Sequence, residues 1–359
     1  MFKIKLFFLV LFIPLLSLFS APGLEYSRLE VHDSAGYQSI HLIEVDPLQY
    51  EIKLIKALDN GIGRESVLSI SMRYGAVASI NGGFFSIGGT FDGRACGTLK
   101  IHDWYALPSK TRGCMGWSLA SQSPIMDRLL VRATANYNFG QIPLDGLNRP
   151  REEGEIILYT PCFHRTTLTN PDGEEVVVVE GIIRSIVIPE NGFILSIQKN
   201  HPLFNNFKVG MPVTVTTKIQ PLMGITASDE WDSHDYIVGG TPLLLYNNAR
   251  IIDLESEQTT PTFLSNRHAR TAIGILPNGN WIFVVVDKTE IFDGMTIYEL
   301  TDLMTRLGCV HALNLDGGGS STIVHEGHIK NSPRGDENQR ADQKTVRRVS
   351  DAIVVLPIR

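Results

Sequence analysis

Apolar and polar positions alternate in short runs along most of the chain, and helical periodicity is confined to two stretches. Residues 41–45 and 50–55 change character at nearly every second position, the spacing that buries one face of a strand and leaves the other polar. Residues 66–74 predict a helix that turns Val67, Ile70 and Met72 to one side and stops at Gly75, a residue suited to the left-handed conformation of a helix end. Residues 76–80 are small and apolar, a buried strand that runs straight into Asn81–Gly82–Gly83–Phe84–Phe85.

The middle of the chain has another texture. Residues 156–159, 176–179, 182–188, 193–197 and 213–216 are runs rich in β-branched residues, separated by turn chemistry such as Asn170–Pro171–Asp172–Gly173 and Pro189–Glu190–Asn191–Gly192. They predict an all-β insertion over 126–220, with little chemistry beyond Asn148–Arg149–Pro150–Arg151.

In the last third, residues 271–275 and 281–286 flank Pro277–Asn278–Gly279–Asn280 and read as a hairpin whose second strand ends at Asp287. Ile297, Leu300, Leu303, Met304 and Leu307 form the clearest helical stripe, closed by Gly308. Thr296 with Glu299 three residues later is a capping box, which assigns Glu299 to the helix start and not to catalysis. The apolar strand 310–315 then ends at Asp316–Gly317–Gly318–Gly319–Ser320–Ser321. The pattern as a whole predicts an α+β fold: a strand-rich mixed sheet with few helices, whose two parts, 22–125 and 221–359, bracket the insertion.

Composition narrows the function. The 359 residues carry a net charge of −6, and only 19% are charged, which excludes a basic nucleic-acid binder and an acidic disordered chain. Residues 1–21 combine Lys3 and Lys5 with an apolar run from Leu6 and end in small residues, the pattern of an export signal; a retained N-terminal anchor is the alternative. No later stretch reaches the roughly 18 uncharged apolar residues of a membrane span. The mature chain is therefore expected to be periplasmic or secreted. Of the four cysteines, Cys96 and Cys114 lie in one loop-rich stretch and are candidates for a disulfide, while Cys162 and Cys309 sit in apolar surroundings as buried thiols.

Two glycine-rich strand ends suggest the walls of one cleft. At Asp316–Gly317–Gly318–Gly319 bare backbone is available for close approach, and successive amides in such a turn can cradle an anion, with Ser320 and Ser321 adding hydroxyls. There is no P-loop and no serine nucleophile elbow. Asn81–Gly82–Gly83–Phe84 adds an amide and aromatic rings. Arg267–His268–Ala269–Arg270 supplies positive charge, with Arg270 placed to clamp a phosphate or carboxylate and His268 a candidate acid or base.

Together these stretches resemble the phosphodiester glycosidase family. Gly239–Gly240–Thr241–Pro242–Leu243–Leu244, Arg270–Thr271–Ala272–Ile273–Gly274, the helix opened by Gly294–Met295–Thr296, Asn314 to Ser321, and Arg348–Val349–Ser350–Asp351–Ala352 occur in family order with Asn81–Gly82–Gly83–Phe84–Phe85 over roughly 75–357. Asn148–Arg149–Pro150–Arg151 leading into Leu158–Tyr159–Thr160 is similar to bacterial members. Departures are His311, where a small or acidic residue is expected, and the local elaboration Thr90–Phe91–Asp92–Gly93 with Cys96 and Cys114.

The resemblance implies hydrolysis of a sugar-1-phosphodiester, of the N-acetylglucosamine-1-phosphate type, at the anomeric carbon, in polysaccharide or cell-envelope glycan metabolism. On that basis Asp316 is the leading carboxylate, as base or nucleophile, Arg270 binds the phosphate, and His268 protonates the leaving oxygen or pairs with the anion. Gly317, Gly318, Gly319, Ser320 and Ser321 take phosphate or sugar oxygens. Asn81 and Asp287 hold sugar hydroxyls or orient Arg270, and Gly82, Gly83, Phe84 and Arg348 complete the substrate-binding set. No cofactor is assigned, although a divalent cation at Asp287 or Asp316 is an open alternative. A non-catalytic glycan-binding protein would keep the cleft but lose Asp316 or Arg270. A phosphodiesterase acting at phosphorus would need clustered metal ligands, for which only Asp229 and Asp232–Ser233–His234–Asp235 offer themselves, in what reads as a solvated turn.

Overall fold

The period-two alternation resolves into four sheets, in a computed structural model that describes residues 22–33, 36–184, 189–224, 226–335 and 346–358. The signal-like segment 1–21 and the second half of the run 182–188 lie outside the described residues. One seven-stranded sheet has the order Leu24–Asp33, Gly36–Val45, Trp281–Val286, Arg270–Ile275, His311–Asn314, Leu243–Tyr246, Ala249–Arg250. A second, of five strands, runs His328–Ile329, Ile323–His325, Ala78–Asn81, Asp351–Pro357, Tyr50–Lys56. In a third, Val213–Pro221, Ile125–Tyr137, Arg112–Trp117, Tyr236–Gly240, Leu99–Ile101 and Asp103–Ala106 lie side by side, with Gly140–Leu144 also paired to Ile125–Tyr137. The residues between, Gly146–Leu147, Ile156–Tyr159, Gly192–Gln198, Gly173–Val179 and Ile182–Arg184, make the fourth sheet. Its pairing of Gly146–Leu147 with Ile156–Tyr159 is parallel, and the other strand pairs described here are antiparallel.

The first three sheets face a common core. Ile273, Phe283 and Leu313 from the first, Ile52, Ile80 and Ile353 from the second, and Trp117 and Val238 from the third are all fully enclosed. Burial of each such side chain contributes about 1.5–3 kcal/mol. Trp117 and Trp281 meet edge to face at 5.2 Å, and the Trp117 indole N–H donates to the Ile52 carbonyl at 2.8 Å, which fixes where the sheets touch.

Two helices close the outer faces. Ile297–Arg306 lays Ile297, Leu300, Leu303 and Met304 on the first sheet, and both halves of the Thr296–Glu299 capping box form. Glu299 also pairs with Arg267 across the helix start. Val67–Tyr74 packs Val67 and Ile70 on the second sheet and ends at Gly75 with φ +66°. Met72, expected on that same side, is 69% exposed, because at 100° per residue it falls about 200° from Ile70. The hairpin forms as expected, with Ile275 opposite Trp281 and Gly279 at φ +89°.

The cysteines do not pair. Cys114 lies inside the third sheet with its thiol on Thr98 Oγ1 at 3.3 Å, whereas Cys96 is exposed on a loop beside Ser86 Oγ at 3.1 Å. Cys309 is buried as expected, and Cys162 only partly so. The acidic stretch near Asp232 is solvated as expected at Asp229, Asp232 and Ser233, but Ser228–Asp232 is a short helix that buries Trp231, and His234 is 7% exposed with Nδ1 on the Glu230 carbonyl.

Candidate functional site

The strand ends meet where the first and second sheets abut. Ala78–Asn81 of the second sheet delivers the Asn81–Gly82–Gly83 turn, and His311–Asn314 of the first delivers Asp316. The Asp316 N–H donates to the Gly82 carbonyl at 3.2 Å, and the Gly82 N–H donates to the carbonyl of Asp351, the first residue of Asp351–Pro357, at 2.9 Å. The next amide, Gly83 N–H, donates to Asp351 Oδ1 at 2.9 Å. A Cβ on Gly82 would stand 2.0 Å from that oxygen, so the carboxylate seat requires glycine there.

Two carboxyl groups thus share one turn. Burial pushes Asp316 up to about 6, against the pull of nearby Ser320, the Arg347 charge and the Gly317 N–H; the neighbouring Asp351 charge adds to the rise. Ser320 Oγ acts from close by but outside hydrogen-bonding geometry. Burial also raises Asp351, which is 1% exposed, and the Lys56 ammonium opposes that rise. Lys56 is itself buried, held by the Gly93 carbonyl and by the carbonyl and hydroxyl of Ser350, and burial brings its pKa down to about 8.

The site also leaves polar atoms unmatched. Asp351 Oδ2, Asn314 Oδ1 and the hydroxyls of Ser320, Ser321 and Thr322 are buried with no hydrogen-bond partner among the described residues. Buried groups of this kind are costly unless something occupies the space beside them. Their occurrence together at one pair of strand ends makes this a candidate place for a polar ligand.

Several expected contributors take other roles. Asn81 is 1% exposed and fully engaged: Nδ2 donates to the Asp316 carbonyl at 2.8 Å, while Oδ1 accepts from Thr271 Oγ1 at 2.8 Å and the Thr322 N–H at 3.2 Å. It is a positioning residue that braces Asp316, not a holder of sugar hydroxyls. The glycine amides are largely occupied as well. Gly317 N–H reaches Asp316 Oδ1 at 2.9 Å and Gly318 N–H the Ala269 carbonyl at 2.8 Å, which leaves at most Gly319 for an anion.

Arg270 is 2% exposed. Its Nε donates to the Met295 carbonyl at 2.8 Å, and Nη2 to those of Asn266 at 2.7 Å and Phe263 at 3.3 Å. Only Nη1 remains for a ligand, so the expected two-pronged clamp is not available. Its guanidinium also stacks on Phe263 at 5.4 Å, and Phe263 approaches Phe84 at 6.4 Å, which makes an aromatic wall beside the turn. Segment 268–270 runs along Gly317 and Gly318, and His268 on it is exposed, its backbone paired with Met295.

Asp287 stands in a separate network. His41 Nε2 lies 3.0 Å from Oδ2, and Asn331 Nδ2 and the Ser332 N–H donate to Oδ1 at 3.1 and 2.9 Å. Burial works against its charge, yet His41, Ser332 and Asn331 more than offset this and its pKa lies below the usual carboxylate value. Both oxygens are committed, so Asp287 neither holds a sugar nor orients Arg270. Among the described residues its hydrogen-bonded link to the site is Asn331, which donates to the Ser321 carbonyl at 2.9 Å. Among the described residues, no three His, Cys, Asp or Glu side chains converge as metal ligands.

Arg348 is exposed, and the arginine that enters the site is its neighbour. The Arg347 guanidinium lies over Gly319, 2.5 Å from where a Cβ would be, and its charge acts on Asp316. Arg347, Asp351, Thr322 and Lys56 are the residues that sequence reasoning missed. One signal was legible: Asp351 places a charge directly before an apolar strand, as Asp316 places one directly after.

A family model described as phosphodiester glycosidase matches residues 171–356, which include Arg270, Asp316, Arg347 and Asp351. The chain belongs to the phosphodiester glycosidase family. The Asn81–Gly83 turn precedes the matched part, and the structure shows that it completes the same site. Among relatives, an uncharacterized protein of Rickettsia conorii is 28% identical over 236 residues, 61% of this chain and 77% of that one. The N-acetylglucosamine-1-phosphodiester alpha-N-acetylglucosaminidase of Bos taurus is 31% identical over 128 residues; these are 33% of this chain and only 24% of the bovine protein.

Two solved structures share the fold of this phosphodiester glycosidase family member. A hypothetical protein from Synechocystis superposes with a TM-score of 0.80 at 21% identity, covering 94% of this chain and 62% of that one. The zebrafish N-acetylglucosamine-1-phosphodiester alpha-N-acetylglucosaminidase catalytic domain, auto-inhibited by its pro-peptide, gives 0.51 at 17% identity, covering 94% and 85%.

Proposed function

We propose that this chain is an exported glycosidase that hydrolyses a sugar-1-phosphodiester at the anomeric carbon, in polysaccharide or cell-envelope glycan metabolism. The observation that carries the reading is the convergence of Asp316, Asp351 and Arg347 on the Asn81–Gly82–Gly83 turn beside unmatched hydroxyls. Export rests on the signal-like pattern of residues 1–21, and the N-acetylglucosamine-1-phosphate type of substrate on the name of the bovine relative.

The chemistry suits this inventory. In the hydrolysis, the bond between C1 and the phosphate oxygen breaks, and its electron pair leaves with the phosphomonoester. A water oxygen then bonds to C1 and its proton passes to a base. A phosphomonoester has a second pKa near about 6, so it departs with little help from an acid. What the protein must supply is charge stabilisation at the phosphate and at the oxocarbenium-like carbon. Arg347 meets the phosphate, assisted by Arg270 Nη1, and Asp316 serves C1 as base or nucleophile. The hydroxyls of Ser320, Ser321 and Thr322 take sugar or phosphate oxygens, and Phe84 packs against the sugar.

Hydrolysis of a methyl diester of N-acetylglucosamine 1-phosphate in ¹⁸O water tests the reading. Label in the released sugar is the expected result; label in the phosphate means attack at phosphorus and overturns it, as does the absence of hydrolysis across a panel of sugar-1-phosphodiesters.

A further inference from the structure

Where the third sheet gives way to the fourth lies a cavity of about 470 Å³. It is lined by three arginines, Arg94, Arg132 and Arg149, against one acid, Asp145. Arg149 is engaged by both Glu155 oxygens at 2.6 Å, and Asp145 accepts the Ile156 N–H at 2.8 Å, so these two charges serve the fold.

Arg94, half-buried, and Arg132, exposed, have no carboxylate partner among the described residues. Arg94 reaches only the Ala95 carbonyl at 3.3 Å, Ser86 Oγ at 3.2 Å and Cys96 Sγ at 3.6 Å, and its Nε is buried without a partner. In a protein of net charge −6, these two arginines give the cavity a local positive charge that suits an anion, and the buried Arg94 Nε is the one atom of the pair left without solvent contact or partner among the described residues. Leu107 and Leu144 add apolar lining, suited to a sugar ring.

The cavity is connected to the carboxyl pair by a short stretch of backbone. Cys96, on its lining, donates its N–H to the Phe84 carbonyl at 2.8 Å, and Gly83, one residue earlier, donates to Asp351 Oδ1 at 2.9 Å. At about 3.6 Å per extended residue, Cys96 N lies no more than about 13 Å from that carboxylate. A short run of glycosyl phosphates bridges such a gap.

We propose that the Arg94–Arg132 cavity is a subsite for a second phosphate of the same substrate, so that the protein acts on a phosphodiester-linked glycan chain and not on an isolated glycosyl phosphate. This rests on the glycosidase reading above. It gives the charge of Arg94 and Arg132 a ligand within reach of the carboxyl pair.

Cys96 makes the test independent of turnover, because it is the exposed thiol while Cys114 and Cys309 are buried and burial raises the Cys162 thiol to about 11. The probe is a trimer of N-acetylglucosamine 1-phosphate joined by phosphodiesters, compared with the neutral N-acetylglucosamine trimer. The phosphate trimer should slow maleimide labelling of Cys96 at least fivefold, and the neutral trimer should not. The double variant Arg94→Gln with Arg132→Gln should abolish that protection and lower the ratio of kcat/KM on the phosphate trimer to that on the methyl diester about tenfold. Equal protection by both trimers, or an unchanged ratio in the double variant, overturns the proposal. Protection by the phosphate trimer without hydrolysis of any diester leaves the anion subsite standing and removes the glycosidase reading instead.

Discussion

Asp316 and Asp351 come from different sheets yet are joined through a single residue, Gly82, whose carbonyl accepts the Asp316 N–H and whose N–H donates to the Asp351 carbonyl. The two backbones are therefore tied together through Gly82, and each carboxyl is held in turn by a backbone amide, Asp316 Oδ1 by Gly317 and Asp351 Oδ1 by Gly83. Fixing of this kind is what the proposed reaction requires of the two carboxyls.

Gly82→Ala tests this directly. Its Cβ meets Asp351 Oδ1 at 2.0 Å, and forcing the two apart costs about 1–3 kcal/mol, as overpacking usually does. The expected result is a lower melting temperature and a fall in kcat of at least about a hundredfold in the protein that remains folded. Near-normal activity would show that Asp351 is free to move without consequence.

Asp316→Asn should lower kcat by about 10²–10⁴-fold, and the wild-type rate should rise with pH through about 6 as the carboxylate forms. Stability carries the same titration with a definite sign. With the folded pKa near 6 and the ordinary aspartate value 3.8, the folded state holds a proton that the unfolded state has released between those values. Stability from this group therefore falls as pH rises across that window. The melting temperature of Asp316→Asn relative to wild type should accordingly increase between pH 4 and pH 7.

Arg347 and Arg348 should behave very differently. Arg347→Ala removes the guanidinium beside Gly319 and Asp316; kcat/KM should fall about 10²–10³-fold, with the acid limb of the pH profile shifted upward because the carboxylate has lost its counter-charge. Arg348→Ala, at an exposed position, should stay within about twofold. Steady-state kinetics of the pair across pH 4–8 decide it.

Arg270→Gln should act mainly on stability. Three carbonyls, those of Met295, Asn266 and Phe263, lose a charged donor in a buried setting, for a cost on the order of 3 kcal/mol. A lowered urea midpoint is expected. An unchanged midpoint with a large rise in KM would return Arg270 to the role of principal phosphate ligand.

Local chemistry was legible along the chain. The Thr296–Glu299 capping box, the Gly75 helix stop, the hairpin at 277–280 and the glycine-rich strand ends at 81–83 and 316–319 are all governed by neighbours within a few residues. The Asp316 end and the Asn81 end do meet, as their shared pattern of a buried strand running into polar groups and bare backbone suggests.

The roles within that site were not legible, since they depend on contacts across the whole chain. Asn81 bonds Thr271 and Asp316 at separations of 190 and 235 residues, and Gly83 bonds Asp351 at 268. No periodicity records whether an amide such as Gly318 N–H will face a ligand or the Ala269 carbonyl, nor whether Asp287 will meet a sugar or His41.

Sequence alone determined the α+β class, the family resemblance and the two strand ends that meet, because turn and strand chemistry are local properties of the chain. Only the tertiary structure selected Arg347 over Arg348, added Asp351 as the second carboxyl and gave Asn81 to the scaffold. The physical reason is that packing two sheets around one core, so that their strand ends meet, decides which polar atoms find partners and which are left without one.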